Sequence, residues 1–320
     1  MDTIGNPLLW SVFAGLVVVA LLADLVLMRH GGAHRVTFRE ALGWSIAWVA
    51  LSLAFNAGLW WYETRHAGSV AGNHVALEFL TGYLVEKSLA VDNIFVFLTL
   101  FNYFAVPAEQ RQKVLILGVL GAIVLRAVMI LAGSVLLARF HWILYVFGGF
   151  LLLTGVRLLR SAHKAPDLGT NPVLKWMRRH LPLTPDYHGQ RFTVMLGGAR
   201  HYTPLFVVIV LIAVIDVVFA VDSIPAIFAI TSDPFIVLTS NVFAVLGLRA
   251  MFFLLGSTAD RFHLLPYGLA LVLMFVGVKM LLTDVYKVPV AWSLGVVAAT
   301  IAATIALSMM RPAKAPPPSR

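Results

Sequence analysis

The stretch that decides the fold is Glu86-Lys87-Ser88-Leu89-Ala90-Val91-Asp92-Asn93, which lies inside an apolar segment running from about 75 to 101. Each of its three charged side chains should cost about 2.5–3.5 kcal/mol to insert into a bilayer. The pattern returns at Asp216-Val217-Val218-Phe219-Ala220-Val221-Asp222-Ser223, again with two acids six residues apart and a small polar residue after the second acid. A costly feature that occurs twice predicts one site built from two halves of the chain.

The composition is that of a membrane protein. Hydrophobic residues make up 60% of the 320 residues and charged residues 12%, which is typical of an all-α, polytopic transmembrane helix bundle. The chain contains no cysteine, so disulfides and thiolate metal sites are excluded and oxygen and imidazole remain as metal ligands. The net charge is +9. Because the Lys and Arg residues lie mostly in short loops beside apolar segments, they favour membrane lipid, and not nucleic acid, as the partner.

Windows of about 20 apolar residues predict about nine membrane spans. The first of them is too long for a signal-peptide core and is followed by no small-residue cleavage site, so we expect it to be retained. Lys and Arg concentrate in alternate loops and in the C-terminal tail, which predicts an N-terminus outside and a C-terminus in the cytoplasm. The predicted spans lie near 7–29, 41–62, 75–101, 113–137, 142–162, 204–230, 236–257, 264–285 and 289–310.

The internal repeat extends beyond the acidic motif. Residues 125–134 and 248–257 share six of ten identities. Each unit contains three predicted spans, and an odd number of spans forces the second copy to enter the membrane from the opposite side. The sequence therefore predicts a three-plus-three inverted-topology repeat, the architecture of secondary transporters, whose sites lie near the bilayer midplane.

This repeat divides the chain into six predicted regions. They are two N-terminal transmembrane helices (1–62), a first three-helix repeat (63–162), a basic cytoplasmic loop or partly ordered linker (163–203), a second three-helix repeat (204–285), a final transmembrane helix (286–310) and a disordered cytoplasmic tail (311–320).

The acids and their neighbours suggest a site for a hard cation. On a helix Glu86 shares a face with Asn93, as Asp216 does with Ser223, because seven residues make about two turns. We expect Pro225 to break its helix and free a backbone carbonyl. Carboxylate, amide, hydroxyl and carbonyl oxygens suit Mn²⁺, Mg²⁺ or Ca²⁺.

Helix geometry assigns a place to each acid. With a rise of about 1.5 Å per residue, Glu86 and Asp216 fall within roughly 3 Å of the midplane and should face each other. Because the two helices run in opposite directions, Asp92 falls roughly 6 Å toward the cytoplasm and Asp222 roughly 7 Å toward the outside. We predict that the first pair holds the ion throughout and that the second pair forms inner and outer gates.

Other intramembrane polar residues are weaker candidates. Arg126 and Arg249 should mainly neutralise an acid or cap freed carbonyls, whereas Lys87 could replace a cation in the empty state or extend toward the membrane surface. Glu78 should lie near the outer surface, in a vestibule. Asn241 is expected to bond across helices. The rival interpretation is that the acids only pair with these bases to hold the bundle together, although four acids outnumber the three bases.

Long strings of the sequence resemble the TerC family of membrane proteins, close to its Alx-like branch. The strings cover residues 76–93, 219–226 and 240–249. The resemblance implies a bacterial inner-membrane metal exporter, linked to Mn²⁺ efflux, alkaline pH and tellurium resistance, within the LysE-type transporter superfamily. It also implies that Glu86, Asp92, Asp216 and Asp222 are the family's acidic positions.

The first functional hypothesis is therefore Mn²⁺ efflux, with protons exchanged at the same carboxylates as the economical counter-ion. The rivals are a non-transport membrane protein of tellurium or stress resistance, with the acids as structural ion pairs, and amino-acid export by superfamily analogy. We predict no enzymatic activity, no catalytic residue and no resident cofactor, since Mn²⁺ would be the transported substrate.

Overall fold

The computed structural model describes residues 3–31, 37–140, 142–161, 171–256, 264–286 and 288–310. Within these ranges the side chains of residues 24–31, 91, 92, 95, 108, 161 and 222 are outside the description. The predicted tail 311–320 also lies outside the described residues.

The described part of the chain is almost wholly helical, in agreement with the predicted all-α class. Each of the nine predicted spans falls on a helix, and the span at 236–257 falls on two consecutive helices. The helices are α1 Pro7–Gly31, α2 Phe38–Ala67, α3 Ser69–Tyr103, α4 Ala108–Arg139, α5 Ile143–Ser161, α6 Pro172–His180, α7 Pro204–Phe228, α8 Pro234–Leu246, α9 Leu248–Gly256, α10 Leu265–Leu281 and α11 Val290–Met310; the strands are β1 Thr193–Leu196 and β2 Ala199–Tyr202.

Several of these helices are long and apolar enough to cross a membrane. Among the described residues five helices meet this criterion, α2, α4, α5, α7 and α11, and α8 with α9 makes a sixth if the bent pair is one span. Shorter apolar helices lie at Pro7–Ala23 and Leu265–Leu281. The chain is thus a helical membrane protein, and both the count of nine spans and the inverted repeat stay predictions.

Helix α3 lies at the centre of the bundle. It packs against α2, α7, α8, α9, α10 and α11. On its first half Phe79 contacts Phe55 of α2, with ring centroids 5.6 Å apart, and Phe243 of α8, at 6.1 Å. Since helices cover α3 on several sides, its polar side chains are carried into the protein interior.

Helices α5 and α10, which occupy corresponding positions in the two predicted units, pack closely through glycine. A Cβ atom placed on Gly277 would lie 2.8 Å from the carbonyl oxygen of Gly148 and 2.8 Å from the backbone nitrogen of Leu152. Backbone atoms cannot move away as a flexible side chain can, so only glycine fits here. Small residues that allow such close approach are typical of helix contacts within membranes.

The predicted helix break at Pro225 is wrong. Helix α7 passes through Pro225 and ends at Phe228. Pro225 has no N–H for the carbonyl of Val221, but the chain continues in helical form for the three residues that remain before the helix ends. The break occurs instead at Gly247, where α8 and α9 meet with a bend of 41°.

The segment predicted as a loop or partly ordered linker is folded over residues 171–203. Asn171 caps α6 by accepting hydrogen bonds from the backbone nitrogens of Val173 and Leu174. Gly197 and Gly198 have φ angles of 57° and 82° and form the turn between β1 and β2, which requires positive φ at both positions. The Tyr187 hydroxyl donates to the carbonyl oxygen of Phe104 at 2.7 Å, which ties this segment to the end of α3.

Candidate functional site

Four polar side chains from four helices meet in the interior of the bundle. They are Glu86 of α3, Arg126 of α4, Asp216 of α7 and Asn241 of α8, and each is at most 2% exposed. The sequence predicts that Glu86 and Asp216 lie together. The structure brings the two acids into one cluster, but they do not face each other directly. The guanidinium of Arg126 lies between them and contacts both carboxylates.

Hydrogen bonds join the four residues into one network. Nη1 of Arg126 donates to Oε1 of Glu86, and it lies 3.2 Å from Oδ1 of Asn241. The Asn241 amide nitrogen donates to Oε2 of Glu86 at 3.1 Å. Glu86 therefore uses both of its carboxylate oxygens and is fully satisfied, as a buried charge requires.

Asp216 is held much less firmly than Glu86. Its Oδ1 atom lies 3.4 Å from Nη2 of Arg126, a long distance for a charge-assisted hydrogen bond. Its Oδ2 atom is buried and has no hydrogen-bond partner among the residues that the structure describes. If all three ionise, Glu86, Arg126 and Asp216 together carry one net negative charge, so this network retains coordinating capacity for a further cation.

A small cavity adjoins this network, and we name it the polar chamber after the four polar side chains in its otherwise apolar lining, which also includes Leu89, Leu158, Phe219 and Leu273. Its volume is about 90 Å³ and its lining includes Asn93, Arg126, Thr154 and Ser223. The sequence predicts that Asn93 and Ser223 lie on the same helix faces as Glu86 and Asp216. In the structure both are 1% exposed, and among the described residues Oδ1 and Nδ2 of Asn93 and Oγ of Ser223 have no hydrogen-bond partner.

Lys87 contacts the end of α8, and the two roles considered for it stay predictions. Its Nζ atom donates to the carbonyl oxygen of Ala244 at 3.2 Å, in the last turn of α8. The carbonyls of the last turn have no partner within a helix, and a cation is favourable at that end of the helix dipole. A Cβ atom on Gly247 would lie 2.7 Å from this Nζ. Lys87 therefore caps the break between α8 and α9, the role expected of the arginines.

The remaining candidates lie elsewhere or outside the description. Glu78 is buried and its Oε1 lies 3.6 Å from Nδ1 of His74, but eight residues of helix place it about 12 Å along α3 from Glu86. Arg249 is half-buried in α9, and its predicted role stays a prediction. Asp92 and Asp222 lie in α3 and α7, but their side chains are outside the description, so their predicted roles as gates stay predictions.

The sequence does not predict that Asn241 and Thr154 belong to the site. Asn241 was expected only to bond across helices, which it does, but its position between Glu86 and Arg126 makes it part of the site. Its signal was the polar pair Ser240-Asn241 inside an apolar run. Thr154 carried no distinctive signal, since a single threonine is common in a membrane helix.

The donor set limits the chemistry of this site. Among the described side chains no group of three His, Cys, Asp or Glu is arranged to hold a metal ion. Glu86 and Asp216 supply carboxylate oxygens and Asn241 an amide oxygen, which hard divalent cations prefer. Because Arg126 occupies the space between the carboxylates, a cation can reach both of them only after the guanidinium moves.

Comparison with known proteins identifies relatives along nearly the whole chain. A protein of Shigella flexneri named "Putative membrane-bound redox modulator Alx" is 54% identical over 93% of this chain and 93% of its own. A protein of the same name from Salmonella typhi is 52% identical over 96% of both chains. An uncharacterised membrane protein of Myxococcus xanthus is 46% identical over 98% of this chain and 96% of its own. No solved structure matches the chain.

The family comparison covers most of the residues discussed above. The model of the integral membrane protein TerC family matches residues 71–315, a range that includes both acidic motifs and the two helical units that carry them. The chain belongs to the TerC family of integral membrane proteins.

Proposed function

We propose that this protein exports a divalent cation that prefers oxygen ligands, with Mn²⁺ as its substrate. Glu86 and Asp216 are the central ligands in this proposal, and Asp92 and Asp222 load and release the ion. The observation that carries the proposal is the meeting of two buried carboxylates, from corresponding positions of the two repeated motifs, at a single guanidinium.

A purely structural role accounts less well for this arrangement. Removing charges from water is costly, and replacing a buried ion pair by apolar side chains is often neutral or stabilising. A bundle that needed only packing would do well without the network. The Oδ2 atom of Asp216, which has no partner among the described residues, also fits a ligand better than a structural member, because fully satisfied networks are the ones that rigidify a core.

Export requires an energy source. Moving a divalent cation outward against a negative-inside potential costs about 4.6 kcal/mol per 100 mV. We propose that protons move in the opposite direction and bind the same carboxylates that the metal leaves. Transport by membrane vesicles that continued unchanged after collapse of the proton gradient would contradict this part of the proposal. The protein is placed, in this proposal, in the bacterial inner membrane with its C-terminus in the cytoplasm.

The names of the Alx relatives include the words "redox modulator". The present chain has no cysteine, so it cannot carry out thiol–disulfide exchange, which requires thiolates. Control of the concentration of a redox-active cation is a route to redox modulation that oxygen ligands allow. The second candidate function is a non-transport membrane role, in which Arg126 would only neutralise the two acids that it contacts.

Cellular manganese separates the two candidates. Cells that express the protein should contain less manganese and tolerate more of it than cells without it, and Glu86→Gln or Asp216→Asn should remove both effects. Glu109→Gln serves as a matched control because Glu109 is an exposed carboxylate at the start of α4. If protein present in the membrane leaves manganese content and tolerance unchanged, the export proposal is wrong.

A further inference from the structure

An arginine between two carboxylates raises a problem for any cation transporter. Arg126 contacts Glu86 through Nη1 and Asp216 through Nη2, so an incoming cation meets a positive charge in the space between its ligands. Like charges repel strongly where water is absent. The guanidinium must therefore leave when the cation arrives, and it needs another buried place that can accept its hydrogen bonds.

The polar chamber offers such a place. Its volume of about 90 Å³ is several times the minimum that holds a water molecule. Arg126 already borders it, together with Asn93, Thr154 and Ser223. A guanidinium has five N–H donors and no acceptor, and the side chains of Asn93 and Ser223 provide oxygen acceptors that have no partner among the described residues.

The chamber suits a guanidinium better than it suits the metal ion. Arg126 is the only charged residue in its described lining, so within that lining a divalent cation would meet a positive charge and no carboxylate. The Nε atom of Arg126 is itself buried and has no partner in the described part of the chain. Unsatisfied donor and acceptors on the walls of one cavity are costly in a membrane protein unless another state pairs them.

We propose that Arg126 is a tethered competitor of the transported cation and that the polar chamber is its second binding site. Without metal the guanidinium neutralises Glu86 and Asp216. When the cation binds, the guanidinium moves to the acceptors of Asn93 and Ser223. Its return to the carboxylates then helps to expel the ion. This inference rests on the proposed function and adds to it how the site discharges its substrate.

A double-mutant cycle tests the proposal with Mn²⁺ as the probe. Its four proteins, purified at full length in detergent, are the unsubstituted protein, Asn93→Leu, Arg126→Gln and the double variant. Leucine at position 93 fills the chamber and removes an acceptor, so Asn93→Leu should weaken Mn²⁺ binding about tenfold, within the usual range of coupling between sites. Arg126→Gln removes the competitor, so it should tighten Mn²⁺ binding and slow its release.

The double variant gives the decisive comparison. In the Arg126→Gln protein there is no guanidinium to enter the chamber. Adding Asn93→Leu to this variant should therefore change the affinity for Mn²⁺ by less than about twofold, the usual limit of additivity errors. If Asn93→Leu weakens binding equally in both backgrounds, Asn93 is a metal ligand and the proposal is overturned. If Arg126→Gln weakens binding, the competitor role is also overturned.

A structure of the unsubstituted protein with Mn²⁺ bound gives an answer that does not depend on the folding of any variant. A guanidinium within hydrogen-bond distance of Asn93 or Ser223 supports the proposal, and a guanidinium that still lies between Glu86 and Asp216 overturns it. Absence of Mn²⁺ binding to the unsubstituted protein would overturn both the proposed function and this inference. Binding with an immobile Arg126 would overturn the inference alone.

Discussion

Replacement of Glu86 by alanine should destabilise the metal-free protein far more than the same replacement of Asp216. Both are buried acids that contact Arg126, but Glu86 accepts hydrogen bonds from Arg126 and from Asn241. Its removal breaks a buried ion pair and leaves an amide without its acceptor, which should cost about 3–5 kcal/mol. Asp216 makes one contact at 3.4 Å and has an unpartnered oxygen, so its loss should cost about 0.5–1.5 kcal/mol.

The assay is the thermal midpoint of unfolding in detergent with a chelator present. The eight tryptophans of the chain supply the fluorescence signal. At about 1.5 °C per kcal/mol for a chain of 320 residues, Glu86→Ala should lower the midpoint by about 5–8 °C and Asp216→Ala by about 1–2 °C. The exposed control Glu109→Ala should change it by about 1 °C or less. Equal losses for the two buried acids, or a larger loss for Asp216, would refute the view that Glu86 is the structural anchor of the network.

Three further predictions concern the scaffold around the site. Gly277→Ala should lower the midpoint of unfolding, because its Cβ would meet two backbone atoms at 2.8 Å and overpacking costs about 1–3 kcal/mol. As the control, Gly295→Ala should leave the midpoint unchanged or raise it, because its Cβ meets no described atom within 4 Å. Equal effects of the two substitutions would contradict the close packing of α5 on α10. Lys87→Met should cost about 1–2 kcal/mol by uncapping α8, and an unchanged midpoint would show that the break needs no cap. Burial raises the pKa of Tyr187 to about 12. The stability supplied by its neutral hydroxyl is therefore complete below the ordinary tyrosine pKa of about 10 and is lost as pH rises through about 12. Between these pH values the midpoint of unfolding should fall more steeply for the unsubstituted protein than for Tyr187→Phe, and parallel pH curves would contradict this assignment.

Much of the architecture could be predicted from the sequence because membrane insertion leaves a strong signal. Long apolar runs gave the positions of the helices, and the high cost of burying charge directed attention to Glu86 and Asp216, which the structure does bring into one network. Helical periodicity also singled out Asn93 and Ser223, which in the structure line one cavity. Each of these inferences depends on local composition or on spacing within one helix.

The features that were not predicted depend on contacts between helices. Pro225 predicts a helix break, but α7 continues through it to Phe228. The bend between α8 and α9 occurs at Gly247, where the sequence has no proline that would predict it. The pairing of Lys87 with Ala244 and of Arg126 with both acids required knowledge of which helices are neighbours. The prolines and glycines of residues 171–203 predict a linker. In the structure such residues begin a helix, as Pro172 does, or form a turn, as Gly197 and Gly198 do.

The most direct test of the central claim is the binding of Mn²⁺ to the purified protein, measured by titration calorimetry in the unsubstituted chain and in its four carboxamide variants. The account predicts one site per chain that is abolished by Glu86→Gln and by Asp216→Asn and only weakened by Asp92→Asn and Asp222→Asn. Equal loss in all four variants would contradict the division between central and gating carboxylates. Unsubstituted protein that binds no divalent cation would contradict the claim that these carboxylates form a cation site.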